Sequence, residues 1–565
     1  MRKTALLLFI LFMVGIMAGG CSHLNQISVH KKKNKQGPNQ QAINKFTDGV
    51  ILDMQGNYAG ALLAYQEALL YDSTSAEINL AIARDYLVMG KEESGKKFLE
   101  RTFKLDPDNI EALELMSKVL IRQNKLNEAE EYLEKIIFLD STSVESLHNL
   151  ALIYLQKRQT KKAVEMYNRI LRVSESPDPE LYLQLGDLYF ELGQYEDAEE
   201  VFFEFNKIKP FNGHGYYGLG LVREALKDTA KAIANYKKAL SLSPGLEQVS
   251  KRLGIIFLEQ KRVNQGITFF KEQIHKDSSQ IQNWFVLADI YRQNGDTLKS
   301  IDTYQSMKKI FPEDMQVRIE LGRVYLDNND NQAAFTEFSE IQEKDPENTS
   351  GWLWQGINLI QMDSLDAAVE DLQKALELSP DNPLGNYYLG VLYIQKDRPG
   401  ESIPHLKKAL MFNPDWIPAL LSLANSYESI KQYSIADSLY QRILKIDPNN
   451  ATVLNNYGYS LSIRGINLDK ALSMAKRAVK MDPENGSFLD TIGWILYKKG
   501  NYQEALEYLQ KAFLKREDSA EVADHLGDVY KRLGMEEKAR MSWEKALELE
   551  PNNSTIKSKL NQIMD

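Results

Sequence analysis

From Ala42 onward, apolar residues recur at the spacing of one helical face, and the whole pattern repeats every 34 residues. Proline recurs at one fixed position of this repeat, and serine or glutamate occupies that position in most repeats that lack proline. With this position numbered as position 32, position 8 carries a small residue in all fifteen repeats. The prolines at position 32 are Pro107, Pro210, Pro244, Pro312, Pro346, Pro380, Pro414, Pro448, Pro483 and Pro551.

Two further positions explain how such a unit would pack. Position 20 is small in every repeat, and position 24 is mostly large, as in Tyr65, Phe202 and Trp543. A small residue on each of two helices lets their backbones approach, and the large residue fills the adjoining gap. Proline lacks an N–H, so it ends the second helix and turns the chain into the next unit. Because one unit cannot bury its apolar face alone, we expect the helix pairs to stack into an all-α solenoid.

This pattern resembles the tetratricopeptide repeat (TPR) over residues 42–551, about 90% of the chain. The resemblance implies an α-solenoid, a right-handed superhelix of about fifteen TPR helix pairs. It also implies that positions 2, 5, 9 and 12 of each first helix line the concave surface, and we call these the groove positions. The function implied is binding of other proteins or peptide segments.

The N-terminus precedes the repeats and has the features of an export signal. Arg2 and Lys3 are followed by an almost continuous apolar run from Ala5 to Met17. Such a run is typical of a secretory signal peptide, here residues 1–20, and is short for a membrane span.

The residues at the end of this signal resemble a bacterial lipobox, because small residues precede the lone cysteine, Cys21. The resemblance implies that Cys21 is lipidated and becomes the mature N-terminus, although Ala18 stands where the motif usually has leucine. Ser22 after the cysteine implies the outer membrane, with the protein facing the periplasm. An ordinary signal peptide or an uncleaved anchor is the alternative.

The segments that flank the repeats are polar. Residues 21–41 contain four lysines and few apolar residues, so we expect a flexible tether. These lysines either contact anionic lipid headgroups or are simply solvated. At the other end, residues 552–565 place lysines and Asn561 among apolar positions, which predicts a helix that caps the last repeat.

Composition and motifs exclude several function classes. The net charge of −10 and the absence of a basic patch argue against nucleic acid, and a single cysteine excludes a disulfide framework. A G-x-G-x-x-G run at residues 213–218 lacks a preceding strand and the acidic residue that a dinucleotide site needs. The seven histidines form no metal motif. We therefore predict no enzyme activity, no cofactor and no small-molecule substrate.

The groove positions of the early repeats are acidic. Position 2 forms a ladder of four carboxylates that would suit a basic partner segment, namely Glu77, Glu111, Glu145 and Glu180. The alternative is structural, because the helix dipole favours glutamate in a first turn.

The groove positions of the later repeats are apolar and aromatic. Exposed apolar side chains of this kind mark partner sites, with tyrosine and tryptophan as favoured anchors. The alternative is that position 9 residues partly pack against the neighbouring repeat. The candidate partner surface comprises Leu353, Ile357, Leu384, Tyr387, Val391, Ile394, Tyr459, Trp494 and Tyr497.

A narrower resemblance covers residues 455–459, 464–469 and 489–494, which are similar to a run found in bacterial outer-membrane TPR lipoproteins. One such lipoprotein is an adaptor that joins a periplasmic processing protease to its substrates. The resemblance implies a periplasm-facing scaffold that assembles protein complexes. A component of a secretion, polysaccharide-export or envelope-assembly machine is the alternative.

Overall fold

The computed structural model describes residues 39–564, and this part of the chain folds into thirty-one α-helices and contains no strand. The predicted signal peptide, the lipidation site Cys21 and the tether up to residue 38 lie outside the described residues. The described chain divides between Ser243 and Pro244 into two compact units. We describe each unit by itself.

The first unit holds six helix pairs, in which each odd-numbered helix is the first helix of a repeat. Its N-terminal helix begins at Gln40, capped by the Asn39 side chain. The helices are α1 Gln40–Met54, α2 Tyr58–Tyr71, α3 Ala76–Val88, α4 Glu92–Leu105, α5 Ile110–Arg122, α6 Leu126–Leu139, α7 Val144–Gln156, α8 Thr160–Val173, α9 Pro179–Glu191, α10 Tyr195–Ile208, α11 His214–Ala225 and α12 Thr229–Leu242.

The second unit holds nine helix pairs and a final single helix, and its odd-numbered helices up to α29 are again the first helices. The helices are α13 Glu247–Glu259, α14 Val263–Lys276, α15 Ile281–Gln293, α16 Thr297–Ile310, α17 Met315–Asp327, α18 Asn331–Lys344, α19 Thr349–Gln361, α20 Leu365–Leu378, α21 Pro383–Gln395, α22 Pro399–Phe412, α23 Ile417–Ser429, α24 Tyr433–Ile446, α25 Ala451–Ile463, α26 Leu468–Met481, α27 Gly486–Lys498, α28 Tyr502–Lys515, α29 Ala520–Arg532, α30 Glu536–Leu549 and α31 Ser554–Met564. The predicted all-α class and its helix-pair repeat are confirmed within each unit. None of the described helices is long and apolar enough to cross a bilayer.

The turns inside the helix pairs share a left-handed residue, and the turn between α25 and α26 has a second one, Asn467 (φ 50°). Position 15 adopts a left-handed backbone in all fifteen repeats, as glycine in Gly56 (φ 75°) and as other residues in Arg158 (φ 58°) and Lys261 (φ 54°). The next N–H then donates to the carbonyl five residues earlier, as Gln159 does to Tyr154 at 2.8 Å. This hydrogen bond satisfies a carbonyl at the end of the first helix and reverses the chain toward the second.

The small residue at position 8 packs against the large residue at position 24, as the sequence pattern predicts. A Cβ placed on Gly322 would lie 2.5 Å from the ring of Phe338, so only glycine permits this helix spacing. The repeat that begins at α13 differs, because the side chain nearest to Gly254 belongs to Val286 of the following repeat. Correspondingly, α13 packs more closely on α15 than on its own partner α14.

Candidate partner-binding surfaces

The four glutamates of the acidic ladder occupy the first turns of α3, α5, α7 and α9. Two of them are ion-paired with a basic residue of the preceding repeat. Arg84 donates to Glu111 at 3.0 Å, and Lys118 lies 2.9 Å from Glu145. In both pairs the cation is at position 9 and the carboxylate 27 residues later at position 2. This spacing of 27 residues between a basic and an acidic position is visible in the sequence and could have predicted the ion pairs. The two pairs neutralise half of the ladder.

The predicted apolar surface divides into a core part and a half-buried part. Leu353 and Ile357 are only 5% and 4% exposed and belong to the hydrophobic core of their repeat. They therefore offer little surface to a partner. Leu384, Val391 and Ile394 are half-buried on the next first helix, α21.

Tyr387 is also half-buried on α21, and it is packed against other aromatic rings. Its ring centroid lies 4.6 Å from that of Trp416 and 5.3 Å from that of Tyr388. Trp416 immediately precedes α23 and was not singled out from the sequence, because it is not at a groove position. Tyr387 thus packs against both Trp416 and Tyr388.

The other three predicted aromatic residues meet in the last three repeats. Trp494 stacks on Tyr497, with ring centroids 4.9 Å apart and planes within 11°, and on His525, at 3.9 Å and 14°. Tyr459 donates its hydroxyl to Glu521 and lies 6.3 Å from the ring of His525. The structure therefore brings these residues together, and the half-buried Trp494 stacks on side chains of the protein itself.

A buried ion pair supports this stack. Nδ1 of His525 lies 2.9 Å from one oxygen of Asp490 and 3.2 Å from the other, and the two residues are 6% and 4% exposed. Burial lowers the pKa of His525, whereas the charge and hydrogen bond of Asp490 and the charges of Glu521 and Asp524 raise it. The raising effects are together the larger, so the pKa of His525 lies above the ordinary value for histidine. His525 was not selected from the sequence because it stands beside a groove position, at position 6 of its repeat.

A cavity of 530 Å³ lies in the second unit among the first helices α13, α15 and α17. Its apolar wall includes Ile255, Leu258 and Phe285, all at groove positions, and Ile255 is 52% exposed. Gly254 and Val286, which pack on each other, both line this cavity. Sequence reasoning missed these residues, although the groove positions alone identify them.

The opposite wall of the cavity is charged. Burial raises the pKa of Asp289, with Arg292 acting in the opposite direction. Arg323 donates to both oxygens of Glu320 at 2.9 Å, and its guanidinium lies 4.6 Å from the centroid of the Trp354 ring. This wall therefore offers charges of both signs beside an apolar surface.

The glycines of the G-x-G-x-x-G run serve helix packing. A Cβ on Gly215 would lie 2.4 Å from Asn206, and one on Gly218 would lie 2.5 Å from the ring of Phe202. Both glycines are in α11, which follows a helix rather than a strand. Among residues 39–564, no group of three or more His, Cys, Asp or Glu side chains is placed to hold a metal ion.

Models of repeat families match several parts of the chain. Models described as tetratricopeptide repeats match residues 54–119, 148–204 and 213–245, and one described as a TPR repeat matches residues 358–397. The middle TPR-like domain of cilia and flagella-associated protein 70 matches residues 420–550.

A similar protein is the TPR repeat-containing protein YpiA of Bacillus subtilis (strain 168), which is 33% identical over 76 residues. The match covers 14% of this chain and 18% of that protein, so the chain spans less than a fifth of the relative's length.

Solved structures of similar fold include the APC/C hetero-tetramer Cut9-Hcn1, at 14% identity and a TM-score of 0.41, over 81% of this chain and 97% of that one. A tetratricopeptide repeat protein from Parabacteroides merdae ATCC 43184 matches at 18% identity and a TM-score of 0.39, over 44% and 99%. Naa15/Naa10 bound to HypK-THB matches at 10% identity and a TM-score of 0.39, over 93% and 96%.

Proposed function

This chain is a tetratricopeptide-repeat protein, and we propose that it is a scaffold that binds other proteins or peptide segments along the groove positions of its first helices. The cavity among α13, α15 and α17 carries the proposal. It sets the exposed side chain of Ile255 beside the charged Asp289 and Arg292, and apolar surface rimmed by charge is typical of partner sites.

Site-specific photo-crosslinking tests this surface. A photo-reactive amino acid at Ile255 should capture a partner in native cells, because this position faces the cavity. The matched control is Leu298, an exposed apolar residue on the second helix α16, which is 70% exposed and does not line the cavity. Equal capture from both positions, or none from Ile255, would show that the cavity is not the partner surface.

The proposed setting is the bacterial envelope, with the chain exported, anchored through a lipid on Cys21 and facing the periplasm from the outer membrane. The charged start, the apolar run and the small residues before Cys21 support this. Cys21→Ala should release the protein from membranes, whereas Ser22→Ala should leave it bound, because only the cysteine carries acyl chains. Membrane retention of Cys21→Ala, with no acyl chain on the wild type by mass spectrometry, would refute the anchor.

Within that setting the proposed role is an adaptor that assembles protein complexes, for example by bringing a protease to its substrates. The resemblance of residues 455–459, 464–469 and 489–494 to outer-membrane TPR lipoproteins supports this role. Mass spectrometry of proteins crosslinked at Ile255 should identify a hydrolase or its substrates. Recovery of secretion or polysaccharide-export components instead would assign the chain to such a machine. Assays of the purified protein for hydrolysis test the prediction that it is not itself an enzyme.

A further inference from the structure

The Asp490–His525 pair has a counterpart one repeat later, in which a lysine takes the place of the histidine. Asp524 has the same position in its repeat as Asp490, and each carboxylate is bonded to a cationic group 35 residues later. For Asp524 that group is Lys559 of the final helix α31, with Nζ 2.7 Å from Oδ1. The α27–α29 and α29–α31 interfaces thus place an ion pair at equivalent positions. The cation is Lys559 in the second interface and, in the first, His525, whose side chain type titrates near neutral pH.

The charges around His525 come from several packed helices. Its own helix α29 contributes Glu521, Asp524 and Asp528, and α31 contributes Lys559, which bonds to Asp524 and Asp528. From α27 come Asp490, which bonds to the imidazole, and Lys498, whose Nζ lies 4.6 Å from the Trp494 ring centroid. Tyr459 of α25 lies 6.3 Å away and donates to Glu521. Because Lys559 neutralises Asp524 and Asp528, the imidazolium mainly balances Asp490 and Glu521.

We propose that His525 makes the C-terminal part of the groove responsive to pH, as a regulation of the partner-binding function proposed above. Protonated His525 is held by Asp490 and closes the parallel stack over Trp494, while neutral His525 loosens it and alters the surface around Tyr459 and Tyr497. Nδ1 faces Asp490 and keeps its hydrogen, so the proton that leaves for solvent is the one on Nε2. The hydrogen bond to Asp490 survives this loss, but the ion pair and the cation–π attraction to Trp494 do not.

Indole fluorescence of the full chain measures this transition without a partner, because the ring of His525 is in contact with Trp494. The emission is recorded between about pH 5 and pH 9, and the signal of Trp494→Phe is subtracted. We expect one transition with a midpoint above 6.5, the ordinary pKa of histidine. His525→Gln should abolish it. Asp490→Asn should lower the midpoint, because burial then acts on the imidazole without the carboxylate.

His405→Gln is the matched control, since His405 bonds to the neutral Asn386 and lies outside the stack. It should leave the transition unchanged. A transition that persists in His525→Gln, or a midpoint unaffected by Asp490→Asn, overturns the proposal. Thermal unfolding of each variant identifies any loss of fold.

Photo-crosslinking from Tyr459 at pH values on either side of the midpoint tests the regulation. Capture should depend on pH in the wild type and be independent of pH in His525→Gln. Equal capture at both pH values, with the fluorescence transition intact, overturns the regulation and leaves the scaffold function standing. Absence of capture from both Tyr459 and Ile255 at either pH is instead a failure of the scaffold function itself, and the regulation fails with it.

Discussion

The α-carbon of Gly356 on α19 faces the side chain of Leu372 on α20 so closely that an added Cβ would lie 2.8 Å from Cγ of that leucine. It would also lie 3.3 Å from the backbone nitrogen of Leu372, so the leucine side chain alone cannot relieve the contact. This approach sets the distance between the two helices of the repeat, as Gly322 at position 8 does in the preceding repeat.

Gly356→Leu should therefore force α19 and α20 apart. We expect a loss of about 1–3 kcal/mol or more, the typical effect of overpacking. Because each repeat contacts only its neighbours, hydrogen exchange should increase in this repeat and the two beside it. Uniform loosening of the whole second unit would contradict this picture.

Gly400→Ala is the control for Gly356→Ala. Both glycines are helical, but a Cβ on Gly400 meets no atom within 4 Å. We expect Gly400→Ala to stabilise its helix by about 0.5–1 kcal/mol, the ordinary helix preference for alanine. Gly356→Ala should be destabilising in the same denaturation assay.

Asp85 is a buried carboxyl group whose protonation should make the first unit sensitive to pH. The residue is fully buried on α3, where the carboxyl group of Asp53 and the guanidinium of Arg84 act on it in opposite directions. Burial and then the charge of Asp53 raise the pKa of Asp85 from 3.8 to about 7. Between these values the folded chain retains a proton that the unfolded chain releases, so stability falls as pH rises and levels off above about 7.

Asp85→Asn removes this charge with little change of shape. At pH 8 the variant should be more stable than the wild type, by roughly 1–3 kcal/mol, and at acid pH the difference should shrink or reverse. Hydrogen exchange of α3, compared between Asp85→Asn and the wild type at the same pH, measures this difference in stability. Asp48→Asn, at an exposed site on α1, is the control and should give no such difference. A loss of protection in Asp85→Asn at pH 8 would show that the carboxylate has a stabilising partner.

The repeat length and the positions of the small and large residues were readable from the sequence, because close helix packing constrains residue size directly. The turn conformation was not. Position 15 is glycine in some repeats but Arg158, Lys261 or Lys431 in others. The residue type at this position therefore does not predict the left-handed backbone that all the repeats share. The constraint there comes from hydrogen bonds of the helix end, which any residue satisfies at some conformational cost.

The groove positions follow from the repeat numbering, but the exposure of the residues that occupy them depends on tertiary packing. Leu353 and Leu384 are both candidate groove residues, yet the first is buried and the second half-buried. The cavity lies where Gly254 packs on Val286 of the next repeat, and the pattern of small and large residues does not predict which neighbour Gly254 contacts. The pairing of Arg84 with Glu111 was visible as a spacing, but it needs the repeat geometry to become an interaction.

Trp494 was predicted to be a partner anchor, and its stacking now allows a sharper expectation. Tyr497 and His525 both lie in stacking contact with its ring, and its indole N–H is buried without an acceptor. Trp494→Ala should therefore destabilise the last three repeats by about 3–5 kcal/mol, the usual effect of emptying an aromatic site. Leu514→Ala, at a 70% exposed position on α28, should have little effect on thermal stability. An unchanged melting temperature for Trp494→Ala with lost partner capture would restore its role as an anchor.

The final helix α31 contacts the last repeat through the buried Ile556 and Leu560 and through the ion pairs of Lys559. The Nζ of Lys559 lies 2.7 Å from Asp524 and 2.7 Å from Asp528, and these carboxylates are 21% and 14% exposed. Lys559→Met keeps the apolar stem but leaves two close, partly buried carboxylates without their cation. We expect a loss of about 2 kcal/mol, seen as faster hydrogen exchange in α31 and α29.

Lys557→Met supplies the comparison, because Lys557 is exposed on the same helix and an exposed substitution of this kind changes stability by about 0.5 kcal/mol or less. Acid should rescue the Lys559 variant. Burial already raises the pKa of Asp528, and removal of the lysine raises it further, so protonation ends the repulsion between the two carboxylates as pH falls through that pKa. The stability gap between Lys559→Met and the wild type should therefore narrow toward low pH in denaturation measurements. A gap that is constant with pH would mean that Lys559 acts through the cation–π contact of its amine with the Trp543 ring, 5.8 Å away, rather than by neutralising the two carboxylates.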